Sequence, residues 1–258
     1  MPYQGLDLSG RVAVAIGATS GIGKAIAVGL AQAGADVVAT GRRGDLVDRV
    51  ASEIEALGRR SLRLMTDVTS DSSIETLHDA CAKAFGRVDI LVNAAGFAVR
   101  KPTLEMAQKD WDAIIDTNLT GTLRACRVFG RGMVERRYGR IINIGSLTSV
   151  VALYEVAAYA ASKAAVASLT QSLAIEWARY NVCVNAILPG VFRTALNEGL
   201  LDNTKRGAEL LMRTPMARFG QVEDVVGPAV FLASESARFV TGQLLAVDGG
   251  FLASGVNQ

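Results

Sequence analysis

The sequence is poor in the residues that most often bind metals or form disulfides. It contains one histidine, His78, and three cysteines that lie far apart, Cys81, Cys126 and Cys183. An odd number of scattered cysteines is typical of reduced thiols and not of a disulfide framework. The sequence therefore predicts no metal site, and with a single histidine it argues against a histidine general base.

An excess of charge of one sign is also missing, as are long hydrophobic runs. The 27 basic residues nearly balance the 25 acidic ones, so no electrostatic footprint for nucleic acid or anionic lipid is expected. No apolar stretch approaches the roughly 18 residues that span a bilayer, and the start MPYQGLDLSG lacks the pattern of a signal peptide. We expect a cytoplasmic protein that binds neither nucleic acid nor membranes.

Short apolar runs alternate with segments of helical periodicity along the chain. Seven of these runs read as strands, at residues 11–16, 36–40, 61–65, 88–92, 140–144, 182–187 and 244–247. Strict alternation of strand and helix indicates a parallel sheet with helices on both faces. No linker or repeat divides the chain. We therefore predict a single α/β domain, residues 1–258, with a Rossmann-type, doubly wound, seven-stranded parallel sheet.

A glycine-rich turn follows the first predicted strand. Gly17, Gly21 and Gly23 occur in the stretch GATSGIG, which leads into a helix predicted over residues 22–33. Glycines in such a turn let the backbone approach a pyrophosphate, and the helix N-terminus supplies amide donors. A turn without a ligand is the alternative, but the position at the end of the first strand favours dinucleotide binding.

Two arginines, Arg42 and Arg43, follow the second predicted strand. An acidic residue about 20 residues beyond the glycines would bind a ribose 2′-hydroxyl, whereas an arginine accommodates a 2′-phosphate. Arg42 therefore favours NADP(H) as the cofactor. NAD(H) stays possible, because Asp45 is close in sequence and the arginines could form only a solvated loop.

Tyr159 and Lys163 stand four residues apart in an alanine-rich run, AAYAASKAA, that is expected to be helical. At this spacing both side chains leave the same helix face, so a phenol and an ammonium can share a small volume. The cation would favour the phenolate and move its pKa toward neutrality, as acid–base catalysis requires. The alternative is a tyrosine that packs inward and a lysine that extends into solvent.

Two other polar residues occupy informative positions. Asn118 lies inside the helical segment 111–136, where it would either bend the helix or face solvent. Ser146 follows the predicted strand 140–144, so it is expected at the same edge of the sheet as the glycine turn and the start of the Tyr159 helix.

These motifs together resemble the short-chain dehydrogenase/reductase family of the compact type, nearly from end to end. The sequence shares that family's spaced glycine turn, and its segment 93–96 resembles the family's Asn-Asn-Ala-Gly with Ala94 in place of the second asparagine. Ile16 stands where threonine is usual. The order and spacing of the catalytic tetrad are matched by Asn118, Ser146, Tyr159 and Lys163.

The resemblance implies hydride transfer between a nicotinamide and a carbonyl or alcohol. Tyr159 would exchange a proton with the substrate oxygen, Ser146 would donate a hydrogen bond to it, and Lys163 would lower the phenol pKa and hold the nicotinamide ribose. Asn118 would hold a water that links Lys163 to solvent. The cofactor-binding residues implied are Gly17, Thr19, Ser20, Gly21, Ile22, Gly23, Arg42, Asp67, Val68, Asn93, Ala94, Gly96, Tyr159, Lys163, Pro189, Gly190 and Thr194.

The segments at residues 99–103, 181–190 and 213–220 are similar to those of gluconate and deoxygluconate dehydrogenases, which implies a sugar acid or polyol as the small-molecule substrate. Arg100 or Arg193 could bind a carboxylate, or both could be charges at the rim. The lid segment, around residues 191–215, is expected to cover the site. A 3-oxoacyl thioester reductase is the alternative within the family, and a non-catalytic cofactor sensor or scaffold is the alternative outside it.

The family likeness also bears on assembly. Members usually form tetramers through two long helices and the last strand, so the resemblance implies a homotetramer. The apolar tail at residues 251–256 is a candidate contact with a neighbouring subunit.

Overall fold

A computed structural model describes residues 4–194 and 198–255. Its strands are β1 (Val12–Ile16), β2 (Asp36–Thr40), β3 (Ile90–Asn93), β4 (Gly139–Ile144), β5 (Val182–Pro189) and β6 (Leu244–Val247). Within the described residues these six strands form one parallel sheet in the order β2-β1-β3-β4-β5-β6. The chain order reverses between β1 and β3, so the crevice at their carboxyl ends is the expected place for a dinucleotide.

Helices cover both faces of the sheet. Their bounds are α1 (Gly21–Gln32), α2 (Gly44–Ala56), α3 (Asp71–Phe85), α4 (Gln108–Ile115), α5 (Gly121–Glu135), α6 (Ala157–Trp177), α7 (Glu198–Leu201), α8 (Lys205–Met212) and α9 (Val226–Ala233). Helices α1, α2 and α9 pack on one face, and α3, α5 and α6 pack on the other. The predicted doubly wound, single-domain α/β fold is confirmed.

Residues of β1 show how the two cores share one sheet. Ala13 and Ala15 belong to the core beneath α1 and α9, whereas Val12 and Val14 belong to the core beneath α3 and α5. Because successive side chains of a strand point to opposite faces, an apolar run with both faces covered is buried throughout. All five residues of β1 are buried.

The predicted seventh strand, at residues 61–65, is wrong. This segment runs along the outer edge of β2, but backbone-to-backbone bonds join them only at its two ends: Val37 N donates to Arg60 O at 3.0 Å, and Thr66 N donates to Gly41 O at 3.0 Å. The side chain of Thr40 adds a bond to Leu64 O. Between these bonds the assigned pairing is a single bridge, Gly41 to Met65. An edge segment with exposed residues lacks the two-sided burial that continues a strand.

The helix predicted over residues 111–136 is interrupted. Helix α4 ends at Ile115, a π-helical turn covers Asp116–Thr120, and α5 continues from Gly121. Asn118 lies in the π-helical turn and is fully buried, so the alternative of a surface position is wrong.

Candidate active site

A groove of about 720 Å³ opens at the carboxyl edge of the sheet. It runs from the glycine turn after β1, past the ends of β3, β4 and β5, to helices α7 and α8. The predicted site residues on its walls are Gly17, Ser20, Gly21, Ile22, Gly23, Ala94, Gly96, Ser146, Tyr159, Lys163, Pro189, Gly190 and Thr194. Residues far apart in the sequence therefore share one cavity.

The glycine turn brings backbone against backbone at one end of the groove. Gly17 has a φ of +77°, and a Cβ there would lie 2.4 Å from the backbone nitrogen of Ala95. A Cβ on Gly23 would lie 2.4 Å from the carbonyl oxygen of Gly17. Only glycines permit this packing, which leaves the first amides of α1 at the wall of the groove. This cradle fits the pyrophosphate of a dinucleotide.

A basic corner lies next to the glycine turn. Arg43 donates from Nη2 to the Ser20 hydroxyl at 3.1 Å, so the end of β2 contacts the glycine turn. Hydrogen bonds from Thr69 hold the pKa of Asp67 below its usual range, and Arg42 and Arg124 lower it further. Arg43, and not the Arg42 predicted from the sequence, is the arginine that contacts the turn.

Ser146, Tyr159 and Lys163 meet where β4 ends and α6 begins. Lys163 is buried and donates from Nζ to Ile144 O at 2.7 Å. Ser149 links the other parts, because its hydroxyl donates to Lys163 O at 2.8 Å and accepts from Ser146 N at 3.3 Å. The helix and the strand end are thus held together beside the groove.

Burial sets the protonation of the phenol and the ammonium. It raises the pKa of Tyr159, and a hydrogen bond with the Ser146 side chain offsets part of the increase. The net direction is opposite to the lowering expected from Lys163, whose Nζ lies 5.7 Å from the centroid of the ring. Burial lowers the pKa of Lys163 to about 8. The phenol of Tyr159 therefore keeps its proton at neutral pH.

Asn118 lies behind the groove and supports it. Its Nδ2 donates to the Ser162 hydroxyl at 3.0 Å, and that hydroxyl donates to Tyr159 O at 2.7 Å. Its Oδ1 accepts from Phe97 N at 3.0 Å. Gly96 permits this approach, because a Cβ there would lie 3.1 Å from Asn118 Oδ1. The π-helical turn is thereby joined to the helix that carries the tyrosine.

Besides Asn118, five predicted site residues do not line the groove. Asn93 is buried in the sheet, where its Nδ2 donates to Asn143 Oδ1 at 2.9 Å. Thr19, within the glycine turn, is buried with its side chain beside Gly41. Arg42, Asp67 and Val68 are near the end of β2, outside the walls of the groove.

The two arginines proposed for a carboxylate are already in ion pairs. Arg100 Nε lies 2.6 Å from Glu155 Oε2, and Arg193 Nη2 lies 2.6 Å from Asp202 Oδ2. Arg193 lines the groove and Arg100 does not. Arg206, which was not among the residues predicted from the sequence, also lines the groove. The only sign of it in the sequence was a basic residue in the lid segment. Because Arg206 lies more than forty residues from Tyr159 along the chain, the sequence did not indicate that both line one groove.

Other kinds of site find no support in the part of the chain that the structure describes. No group of three His, Cys, Asp or Glu residues there could hold a metal ion. No described helix is both long and apolar enough to cross a membrane. A doubly wound sheet with a glycine turn and a Ser–Tyr–Lys cluster at one edge defines a dinucleotide-dependent oxidoreductase.

Comparison with known proteins supports this class. A family model described as Enoyl-(Acyl carrier protein) reductase matches residues 17–252. The gluconate 5-dehydrogenase of Gluconobacter oxydans (strain 621H) is 40% identical over 248 residues, covering 96% of this chain and 97% of that protein. The 2-dehydro-3-deoxy-D-gluconate 5-dehydrogenase of Escherichia coli (strain K12) is 39% identical over 256 residues, covering 98% and 100%. The chain belongs to the short-chain dehydrogenase/reductase family.

A solved structure gives the same result for the fold. The crystal structure of a gluconate 5-dehydrogenase from Burkholderia cenocepacia J2315, in complex with NADP and tartrate, matches with a TM-score of 0.94 and 37% identity. The match covers 98% of this chain and 99% of that one. The predicted resemblance to sugar-acid members of the family is confirmed.

Proposed function

We propose that the protein transfers hydride between NADP(H) and a sugar acid of the gluconate type. The observation that carries this is the meeting of Ser146, Tyr159 and Lys163 in one groove that begins at the glycine turn. The two curated relatives named above act on such acids by their names, and the solved one was crystallised with NADP. NAD(H) is the alternative cofactor.

Each member of the cluster has a role that its position supports. The nicotinamide, when bound, supplies or accepts the hydride. Tyr159 gives its proton to the substrate oxygen in reduction and takes it back in oxidation, and Ser146 donates a hydrogen bond to the same oxygen. Lys163 holds the ribose. Asn118 fixes the backbone of the tyrosine helix and orders a water on the path from Lys163 to solvent.

The lid segment, around residues 191–215, forms the far wall. Leu201 on α7 and Arg206 and Leu210 on α8 face the groove. We propose that this segment closes over the substrate and excludes water. Part of it, residues 195–197, lies outside the described residues.

A 3-oxoacyl thioester reductase is the second candidate function. The matching family model is described as Enoyl-(Acyl carrier protein) reductase, a description that also names an acyl substrate. Leu147, Leu153, Leu201 and Leu210 give the groove an apolar wall. An acyl chain would pack well against such a wall. The basic residues of the groove favour the acid instead.

A substrate screen tests the proposal. The purified protein is incubated with NADP⁺ or NAD⁺ and with gluconate or the neutral polyol glucitol, and with the reduced cofactors and 5-ketogluconate or an acetoacetyl thioester. We expect NADP-dependent turnover of gluconate and of its ketone. Turnover of the thioester alone would favour the second candidate. Cofactor binding without turnover of any ketone would favour a sensor or scaffold.

Assembly and location are further parts of the proposal. Helix α6 carries alanine and other apolar residues on most of its surface, and Ile175 on it is exposed, which supports a homotetramer built through the long helices. The tail is less available than expected, because Phe251 packs in its own chain against Leu147 and Leu210. The three buried free cysteines are consistent with a cytoplasmic location.

A further inference from the structure

Three basic side chains line the groove among the described residues, and they differ in what they contact. Lys163 is bonded to Ile144 O, and Arg193 is paired with the carboxylate of Asp202. Arg206, on α8, makes no ion pair with any described residue. It is thus the groove arginine whose charge is least satisfied by the described part of the chain.

The contacts that Arg206 does make are weak. Its Nη1 and Nη2 both donate to one acceptor, the carbonyl oxygen of Tyr154, at 3.3 and 3.4 Å. These distances lie beyond the usual range for an N–H···O bond, and two donors share one oxygen. By comparison, Arg100 lies 2.6 Å from Glu155. A ligand with two oxygens could replace the Tyr154 contact at little cost.

The burial of Arg206 and the charges around it favour binding of an anion. Burial lowers the pKa of Arg206, and the nearby Arg100 lowers it further, while Glu155 and Glu209 oppose this effect. The two guanidinium groups therefore repel each other across a partly dehydrated space. A bound carboxylate would give Arg206 the ion pair that no described residue provides and would offset this repulsion.

We propose that Arg206 binds the carboxylate of the substrate, and that Arg100, neutralised by Glu155, and Arg193, neutralised by Asp202, do not. This inference rests on the proposed function, since it names the residue that binds the carboxylate end of a sugar acid. The carboxylate and the reacting hydroxyl stand near opposite ends of the carbon chain of gluconate. Arg206 and Tyr159 line the same groove, so one molecule can contact both.

Apolar neighbours strengthen the assignment. Leu153, Leu201 and Leu210 line the groove together with Arg206. Leu201 and Leu210 are buried and Arg206 is half-buried, and a charge-assisted pair is stronger in such a setting than at an open surface. Because Arg206 lies on the lid segment, binding of the carboxylate would also hold α8 over the substrate.

The test compares Arg206→Gln with Lys205→Gln. Lys205 is the preceding residue of α8, is exposed and does not line the groove, so its replacement removes the same charge without touching the site. Kinetic constants are measured with gluconate and with glucitol, in which a hydroxymethyl group replaces the carboxylate. Arg206→Gln should raise KM for gluconate about ten- to a hundredfold. The kcat/KM of Arg206→Gln for glucitol should change less than about twofold. Lys205→Gln should change KM for gluconate and kcat/KM for glucitol less than about twofold.

Each result decides between definite alternatives. Equal losses on gluconate and glucitol would mean that Arg206 only supports the lid. An unchanged KM for gluconate would overturn the inference and leave the proposed function intact, and a loss confined to Arg100→Gln would move the carboxylate to Arg100. If the unmodified protein turns over no sugar acid, the proposed function fails and the inference with it. Arg206→Lys should bind gluconate more tightly than Arg206→Gln but less tightly than the wild type, because lysine restores the charge without the two parallel N–H donors of the guanidinium.

Discussion

Lys163 Nζ donates a hydrogen bond of 2.7 Å to the carbonyl oxygen of Ile144, the last residue of β4. The bond joins α6 to the strand end that leads into Ser146, so it aligns Tyr159 and Ser146 on one side of the groove. The ammonium that makes it is buried, and burial lowers its pKa to about 8. Lys163 therefore positions Tyr159 and Ser146, but burial of its charged ammonium destabilises the folded protein.

This cost predicts a pH-dependent stability. The unfolded lysine keeps its proton up to its ordinary pKa of 10.5, whereas the folded one loses it near 8. The unfolded chain binds more protons between these values, so the free energy of unfolding should rise with pH there, by up to about 3 kcal/mol from this group. Urea unfolding of the wild type and of Lys163→Met across this range measures it. The variant should show a flatter profile, and identical profiles would contradict the assigned pKa.

Tyr159→Phe should separate binding from chemistry. The phenyl ring keeps the packing of the tyrosine but has no proton to exchange, and burial keeps that proton on the phenol at neutral pH in the wild type. We expect turnover to fall by about 10²- to 10⁴-fold. Affinity for NADPH, measured by fluorescence titration, should change little. Hydride transfer at a rate close to that of the wild type would remove Tyr159 from its role.

Local sequence patterns were sufficient for much of the site. The spacing of Tyr159 and Lys163 places both on one helix face, and the carboxyl ends of parallel strands bring Ser146 and the glycine turn to the same edge. The π-helical turn at Asn118 could not be derived in this way, because it depends on hydrogen bonds to Phe97 and Ser162 from distant segments. Periodicity describes a helix and does not report such partners.

The two largest differences have the same kind of cause. Residues 61–65 have the composition of a strand, but their place at the edge of the sheet is a property of the topology. Arg206 is an ordinary basic residue in sequence, and only the packing of α8 against the groove gives it significance. Both depend on contacts between segments that are far apart along the chain.

Arg43 should contribute to the choice between cofactors. Its guanidinium contacts Ser20 at the glycine turn, beside Arg42, so a 2′-phosphate placed at this corner would meet positive charge. We expect Arg43→Ala to lower kcat/KM for NADP⁺ by about tenfold and that for NAD⁺ by less than about twofold. The double variant with Arg42→Ala should lose more. Arg49→Ala, an exposed position on α2 away from the groove, is the control. Equal losses with both cofactors would place the 2′-phosphate elsewhere.

Gly17 and Gly58 allow the cost of conformation to be separated from the cost of contact. Both have a left-handed φ, +77° and +75°, but a Cβ would meet Ala95 N at 2.4 Å on Gly17 and nothing within 4 Å on Gly58. Gly58→Ala should lose about 1 kcal/mol of unfolding free energy, the cost of the backbone alone. Gly17→Ala should lose at least about 2 kcal/mol more, because its backbone must shift, and its affinity for NADPH should fall. Equal losses, with NADPH binding retained, would show that the close approach at Gly17 is dispensable.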